Sequence, residues 1–93
     1  MIQSFKSKTT EAVFQGRVSK GFPADLARVA RLKLARIDAA RALDDLRTPP
    51  GNRLEALKGD RQGQHSIRVN DQFRICFVWS AEGPSDVEIV DYH

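Results

Sequence analysis

Apolar residues recur at helical spacing from Leu26 through Ala30, Leu34 and Ile37, the longest periodic stripe in the chain. Val29, Leu32, Leu43 and Leu46 widen it. The segment from Gly21 to Leu46 therefore predicts one bent helix, or two joined near Asp38, packed against a sheet. Pro23 suits its first helical position and Asp25 its first turn. Upstream, "IQSF" predicts a short strand, and "TTEAVFQG" about two helical turns, capped by Thr9 or Thr10 and stopped by Gly16. "TPPGN" ends the helical pattern, because two prolines and a glycine cannot continue it.

Beyond that break the period falls to two. "RLEAL" is a short strand, "KGDRQG" a loop, "QHSIRVNDQFRICFVW" a hairpin turning at Asn70, Asp71 and Gln72, "AEGPSD" a further turn and "VEIVDY" the last strand. The order β-α-α-β-β-β-β gives an α+β class, a compact antiparallel β-sheet packed against N-terminal helices. Alternation places His65, Ile67 and Val69 on one face with Phe73, Ile75, Phe77 and Trp79. A three-residue loop then pairs Val69 with Phe73 and Ile67 with Ile75, and sets Arg68 opposite Arg74. Like charges across a strand pair are destabilising. Either an anion sits between the two guanidiniums, or each turns to water or to a nearby carboxylate.

A chain of 93 residues suits one domain spanning 1–93. No run reaches the length of a membrane span and "MIQSFKSK" lacks the apolar stretch of a secretory signal, so a cytoplasmic protein with no membrane partner is expected. Cys76 is the only cysteine, which argues against a disulfide framework or a cysteine metal site; no metal or cofactor is expected. Residues 1–50 hold ten basic and five acidic side chains, whereas residues 75–93 carry only Glu82, Asp86, Glu88 and Asp91. The surplus permits a polyanionic partner without requiring one.

The candidate chemistry gathers around the hairpin. Lys58 and Arg61 stand in the loop "LKGDRQG" beside Arg68 and Arg74, and the last strand brings Asp91, Tyr92 and His93 to an edge of the same sheet. Cations that hold a phosphodiester, with an imidazole to carry a proton, are what metal-independent RNA cleavage needs, since the ribose 2′-hydroxyl is itself the nucleophile. His93 is the natural proton carrier; Asp91, two residues away on the strand, can orient it; Tyr92 can stack on a base or donate a proton. The default reading of each is blander: a terminal histidine is usually solvated, loop cations usually serve solubility, and His65 between Ile67 and Val69 reads as packing. Cys76 shares a face with Arg74, but a central-strand cysteine is more often packing than nucleophile.

The stretch "PPGNRLEALKGDRQGQHSIRVNDQFRICFVW", the terminal "DYH" and the opening "MIQSFKSK" together resemble the HigB toxin family of bacterial toxin-antitoxin modules, and especially its GraT-type members. The resemblance implies a RelE-like fold and an endoribonuclease that enters the ribosomal A site of the 70S ribosome and cuts mRNA there. It also implies a cognate HigA-like helix-turn-helix antitoxin. Carried onto this sequence, it gives Lys58 and Arg74 phosphate and transition-state contacts, and puts Asp91, Tyr92 and His93 in the catalytic or mRNA-binding cluster. Glu55 stands where some members have histidine, as a candidate base. Arg53, Arg61 and Arg68 join as RNA-binding candidates; the last two come from charge and register. His65 replaces a tryptophan frequent at that place. Two rivals stay open: a ParE-like DNA gyrase inhibitor, since the superfamily includes that branch, and a non-catalytic module that binds RNA or protein.

Overall fold

The computed structural model describes residues 1–17 and 21–92. Helix α1 covers Lys8–Phe14 and α2 Ala24–Ala39; strands β1 (Glu55–Ala56), β2 (Gln64–Arg68), β3 (Phe73–Ser80) and β4 (Gly83–Asp91) form one antiparallel sheet in that order. Both helices cover one face, as the α+β reading expects.

The predicted stripe on α2 is the core: Ala30, Leu34 and Ile37 have no exposed surface and Leu26 almost none. They meet Ile67, Val69, Ile75, Phe77 and Val87 from the sheet. Leu32 departs from expectation. It lies off the stripe on the solvent side and is 60% exposed. Of the two alternatives for the helical segment, the divided one holds. Helix α2 stops at Ala39, Ala40 is extended, and a separate 3₁₀ turn follows at Leu43–Arg47, returning the buried Leu46 to the core. The break is fixed by acceptors on either side of it: Asp45 Oδ2 takes the amides of Arg41 and Ala42 at 3.0 and 3.1 Å, and Asp38 Oδ1 takes that of Ile2 at 2.8 Å. Pro23 precedes the first helical residue instead of occupying it.

Helix α1 is capped by Ser7, one turn earlier than the threonines suggest. Ser7 Oγ accepts from the Thr10 amide at 3.1 Å, which leaves the Thr10 hydroxyl to accept from the amide of Ile89 on β4 at 2.9 Å. Gly16, at φ 77°, ends that helix as predicted. The segment read as strand "IQSF" makes no ladder of its own. It lies parallel to β4 through a bridge between Phe5 and Val87, with Gln3 donating to the Pro84 carbonyl at 2.8 Å and Lys6 to that of Val87 at 2.9 Å.

The hairpin register is the predicted one. Ile67 faces Ile75, Arg68 faces Arg74, and the Val69 amide donates to the Phe73 carbonyl at 3.0 Å. The turn after β3 is shorter than read from "AEGPSD": Pro84 pairs with Trp79 inside the ladder, so β4 begins four residues before Val87. A bulge follows, with Asp86 at φ 51° as its extra residue, and it restores the inward alternation that puts Val87 in the core.

A cationic site on the outer face of the sheet

The face of the sheet turned away from the helices is built around a row of four directly opposed residues. Glu55 on β1 faces Ser66 on β2, Ser66 faces Cys76 on β3, and Cys76 faces Glu88 on β4. Residues opposed across antiparallel strands project to the same side, so two carboxylates flank two small polar residues. Ser66 and Cys76 are fully buried and form the floor.

Arg74 leans across this floor toward Glu55. Its Nε donates to Ser66 Oγ and its Nη2 to the Arg53 carbonyl, both at 2.7 Å, while Nη2 lies 3.0 Å from Glu55 Oε1. The side chain is only 12% exposed, so the planar fork is held in one orientation. Arg61 reaches over from the loop between β1 and β2 toward the other end of the row, with Nη1 at 3.1 Å from Gln64 Oε1 and 3.4 Å from Glu88 Oε1. Tyr92, just past β4 and 45% exposed, is linked by a side-chain hydrogen bond to Cys76; its own amide donates to the Gln72 carbonyl at 2.7 Å, which ties the chain end to the hairpin loop.

The electrostatics follow from this crowding. Burial pushes the Cys76 thiol above its ordinary pKa, a rise that Glu88 reinforces and that Arg61, Arg74 and the Tyr92 hydrogen bond oppose. The Tyr92 phenol is pushed up as well, by loss of hydration first and by Cys76 second. Both groups hold their protons at neutral pH.

The predicted site residues thus divide. Glu55, Arg61, Arg74 and Tyr92 meet in one cluster. Lys58 is exposed at the start of the turn Gly59–Arg61 on the same loop as Arg61. Arg53 takes part through its carbonyl, presented by a left-handed backbone (φ 46°) just before β1. Asp91 belongs to the opposite alternation, and its carboxylate accepts from Gln72 Nε2 at 3.0 Å. His93 lies outside the described residues. The opposition of Arg68 and Arg74 is resolved by carboxylates: Arg68 pairs with Asp71, Arg74 with Glu55. An anion between the two arginines is thus not needed to explain the register. His65 stacks on Phe77 with ring centroids 6.4 Å apart, as a packing residue.

Ser66, Glu88 and the Arg53 carbonyl were not expected as participants. For Ser66 the register was the available signal, since a hairpin that aligns Ile67 with Ile75 also sets Ser66 against Cys76; the place of Glu88 depends on the β3–β4 pairing and its bulge. Below the site, Asn52 is fully buried; its Nδ2 donates to the carbonyls of Leu46 and Thr48, each at 3.2 Å, and its Oδ1 accepts from Lys33 at 2.5 Å. This fastens the 49–54 segment that carries Arg53 and leads to Glu55. Lys33 has its pKa lowered by loss of hydration, with Arg36 and Arg68 adding to the effect.

Two helices on a four-stranded antiparallel sheet, a compact α+β fold, are consistent with a RelE-like domain. The family model described as "RelE-like toxin of type II toxin-antitoxin system HigB" matches residues 3–93, and the chain belongs to that family. It is 41% identical over 80 residues to Toxin HigB-1 of Vibrio cholerae serotype O1, covering 85% of this chain and 84% of that protein. It is also 34% identical over 93 residues to a Proteus vulgaris protein named Endoribonuclease HigB, with both chains covered completely.

Proposed function

We propose that this toxin is a metal-independent endoribonuclease that cleaves mRNA in the ribosomal A site and so stops translation. The observation that carries the reading is the mounting of Arg74. A guanidinium fixed by a buried serine and a main-chain carbonyl, with its remaining contact to a half-exposed carboxylate, is suited to exchange that carboxylate for a phosphate oxygen. The Glu55 ion pair is the replaceable contact, because Glu55 is the solvent-accessible partner, whereas the bonds to Ser66 and Arg53 keep the fork aligned. The exchange frees the Glu55 carboxylate beside the bound phosphodiester, where it can take the 2′-hydroxyl proton. Arg74 then stabilises the phosphorane, joined by Lys58 and by Arg61 from the neighbouring loop. Tyr92, protonated at neutral pH, and His93 are the candidates for donating to the 5′-oxygen; Asp91 would orient the terminal imidazole. Arg53 and Arg68 contribute to holding the RNA backbone.

The shallow, carboxylate-neutralised site makes naked RNA a poor ligand, so the ribosome supplies the alignment of 2′-oxygen and phosphorus. Primer extension on translating ribosomes is the test. Arg74→Ala and His93→Ala should each lose cleavage and toxicity by about a hundredfold or more while keeping the wild-type circular dichroism spectrum, and His65→Phe should retain both. Intact mRNA at saturating wild-type protein, or equally efficient cutting of ribosome-free message, would overturn the reading.

A further inference from the structure

Arg74 is anchored at two points of unlike rigidity. Ser66 sits in the ladder between Glu55 and Cys76, so the sheet itself fixes the hydroxyl that takes the Arg74 Nε proton. The Arg53 carbonyl is different. It lies ahead of β1 and belongs to a residue in the left-handed region (φ 46°, ψ 56°), which side chains other than glycine seldom adopt. The residue before it supplies the support. Asn52 is fully buried and every polar atom of its side chain is engaged: Nδ2 donates to the Leu46 and Thr48 carbonyls, each at 3.2 Å, and Oδ1 accepts from Lys33 Nζ at 2.5 Å. Turning the amide over would set its oxygen against two carbonyls, so one orientation is selected.

Lys33 is poorly placed for stability alone. It is partly buried on α2, where loss of hydration and the nearby Arg36 and Arg68 all disfavour its charge, and no carboxylate pairs with it among the described residues. Its hydrogen-bond partner is the uncharged Asn52 amide. A cation kept where the fold alone disfavours it marks a position with a task in function. We propose that Lys33 and Asn52 are positioning residues for RNA cleavage: the lysine head fixes the Asn52 amide, the amide fixes the Arg53 backbone, and the Arg53 carbonyl sets the angle at which the Arg74 fork meets the phosphate. Helix α2 thereby aligns a guanidinium on the opposite face of the sheet without touching RNA.

This role rests on the nuclease reading, and the experiment separates the two. Cleavage of mRNA on programmed ribosomes is followed in single turnover against toxin concentration for the wild type, Lys33→Met, which keeps the stem and removes the donor, and Lys33→Arg, which keeps a cationic donor. With the circular dichroism spectrum unchanged, Lys33→Met should lower the rate at saturation by about tenfold or more and leave the half-saturating concentration within about twofold of wild type. Lys33→Arg should recover most of the rate. In an Arg74→Lys background, which has no fork to align, adding Lys33→Met should cost less than about twofold. A raised half-saturating concentration at an unchanged rate would make Lys33 a direct contact to RNA or ribosome and overturn the proposal. So would an undiminished loss in the Arg74→Lys background. If Lys33→Met does not fold, Lys33→Ala, a good helix former at the same place, is read in the same way. Message left intact by the wild type would bring down the nuclease reading itself, whereas equal cutting by wild type and Lys33→Met would bring down the positioning role alone.

Discussion

At the scale of single residues, Arg74 and Cys76 show how one face of a strand serves both packing and chemistry. Arg74 is useful because its neighbours leave it few conformations, and Cys76 because a small, fully buried side chain lets the guanidinium and Tyr92 lie close over the sheet. The thiol also makes stability depend on pH. Its pKa is raised in the fold above the ordinary 9.0, so the folded protein keeps a proton that the unfolded chain releases. The corresponding stability is present below that value and is lost as pH rises beyond it. Tyr92 adds to the loss from its ordinary 10.0 upward, while Lys33, lowered from 10.5, acts in the opposite sense. Urea midpoints measured between about pH 8 and about pH 10 should fall for the wild type and stay nearly level for Cys76→Ala. An equal decline in both would place its origin elsewhere.

Among the elements, α1 is short enough that its hydrogen bonds to neighbours decide its position. Thr10 serves two of them at once: its hydroxyl shares 2.7 Å with Ser7 Oγ and takes the Ile89 amide at 2.9 Å, joining the first helix to the last strand. Thr10→Val keeps the shape and removes the acceptor, leaving the Ile89 amide unsatisfied, and should lower stability by about 1–3 kcal/mol in equilibrium unfolding. A loss below about 0.5 kcal/mol would mean that water replaces the contact. The sequence carried much of this architecture and little of such detail. The α2 stripe and the hairpin register could be read because periodicity and the parity of side-chain faces are local properties. The Ser7 cap was displaced because Thr10 is engaged by β4, a contact 79 positions away. Pro84 reads as a turn residue because its place in the ladder depends on the bulge at Asp86 and on the N-terminal segment that takes its carbonyl. At the site, the arginines were legible as charges, but their partners depend on which strands become neighbours: Glu88 reaches Arg61 only once β4 lies against β3.

For the whole molecule, the sheet divides two kinds of surface, with paired cations over Ser66 and Cys76 on one side and the helical layer of α1 and α2 on the other. One edge of that sheet is also guarded. Residues 3–6 run alongside β4 and occupy the amide of Val87 and the carbonyls of Pro84 and Val87, groups that would otherwise invite another strand. A protein trimmed of residues 1–6 should therefore sediment as self-associated species at concentrations where the untrimmed chain stays monodisperse. The opening segment would thus act as a built-in chaperone for its own border, keeping a toxin made in excess from polymerising through it.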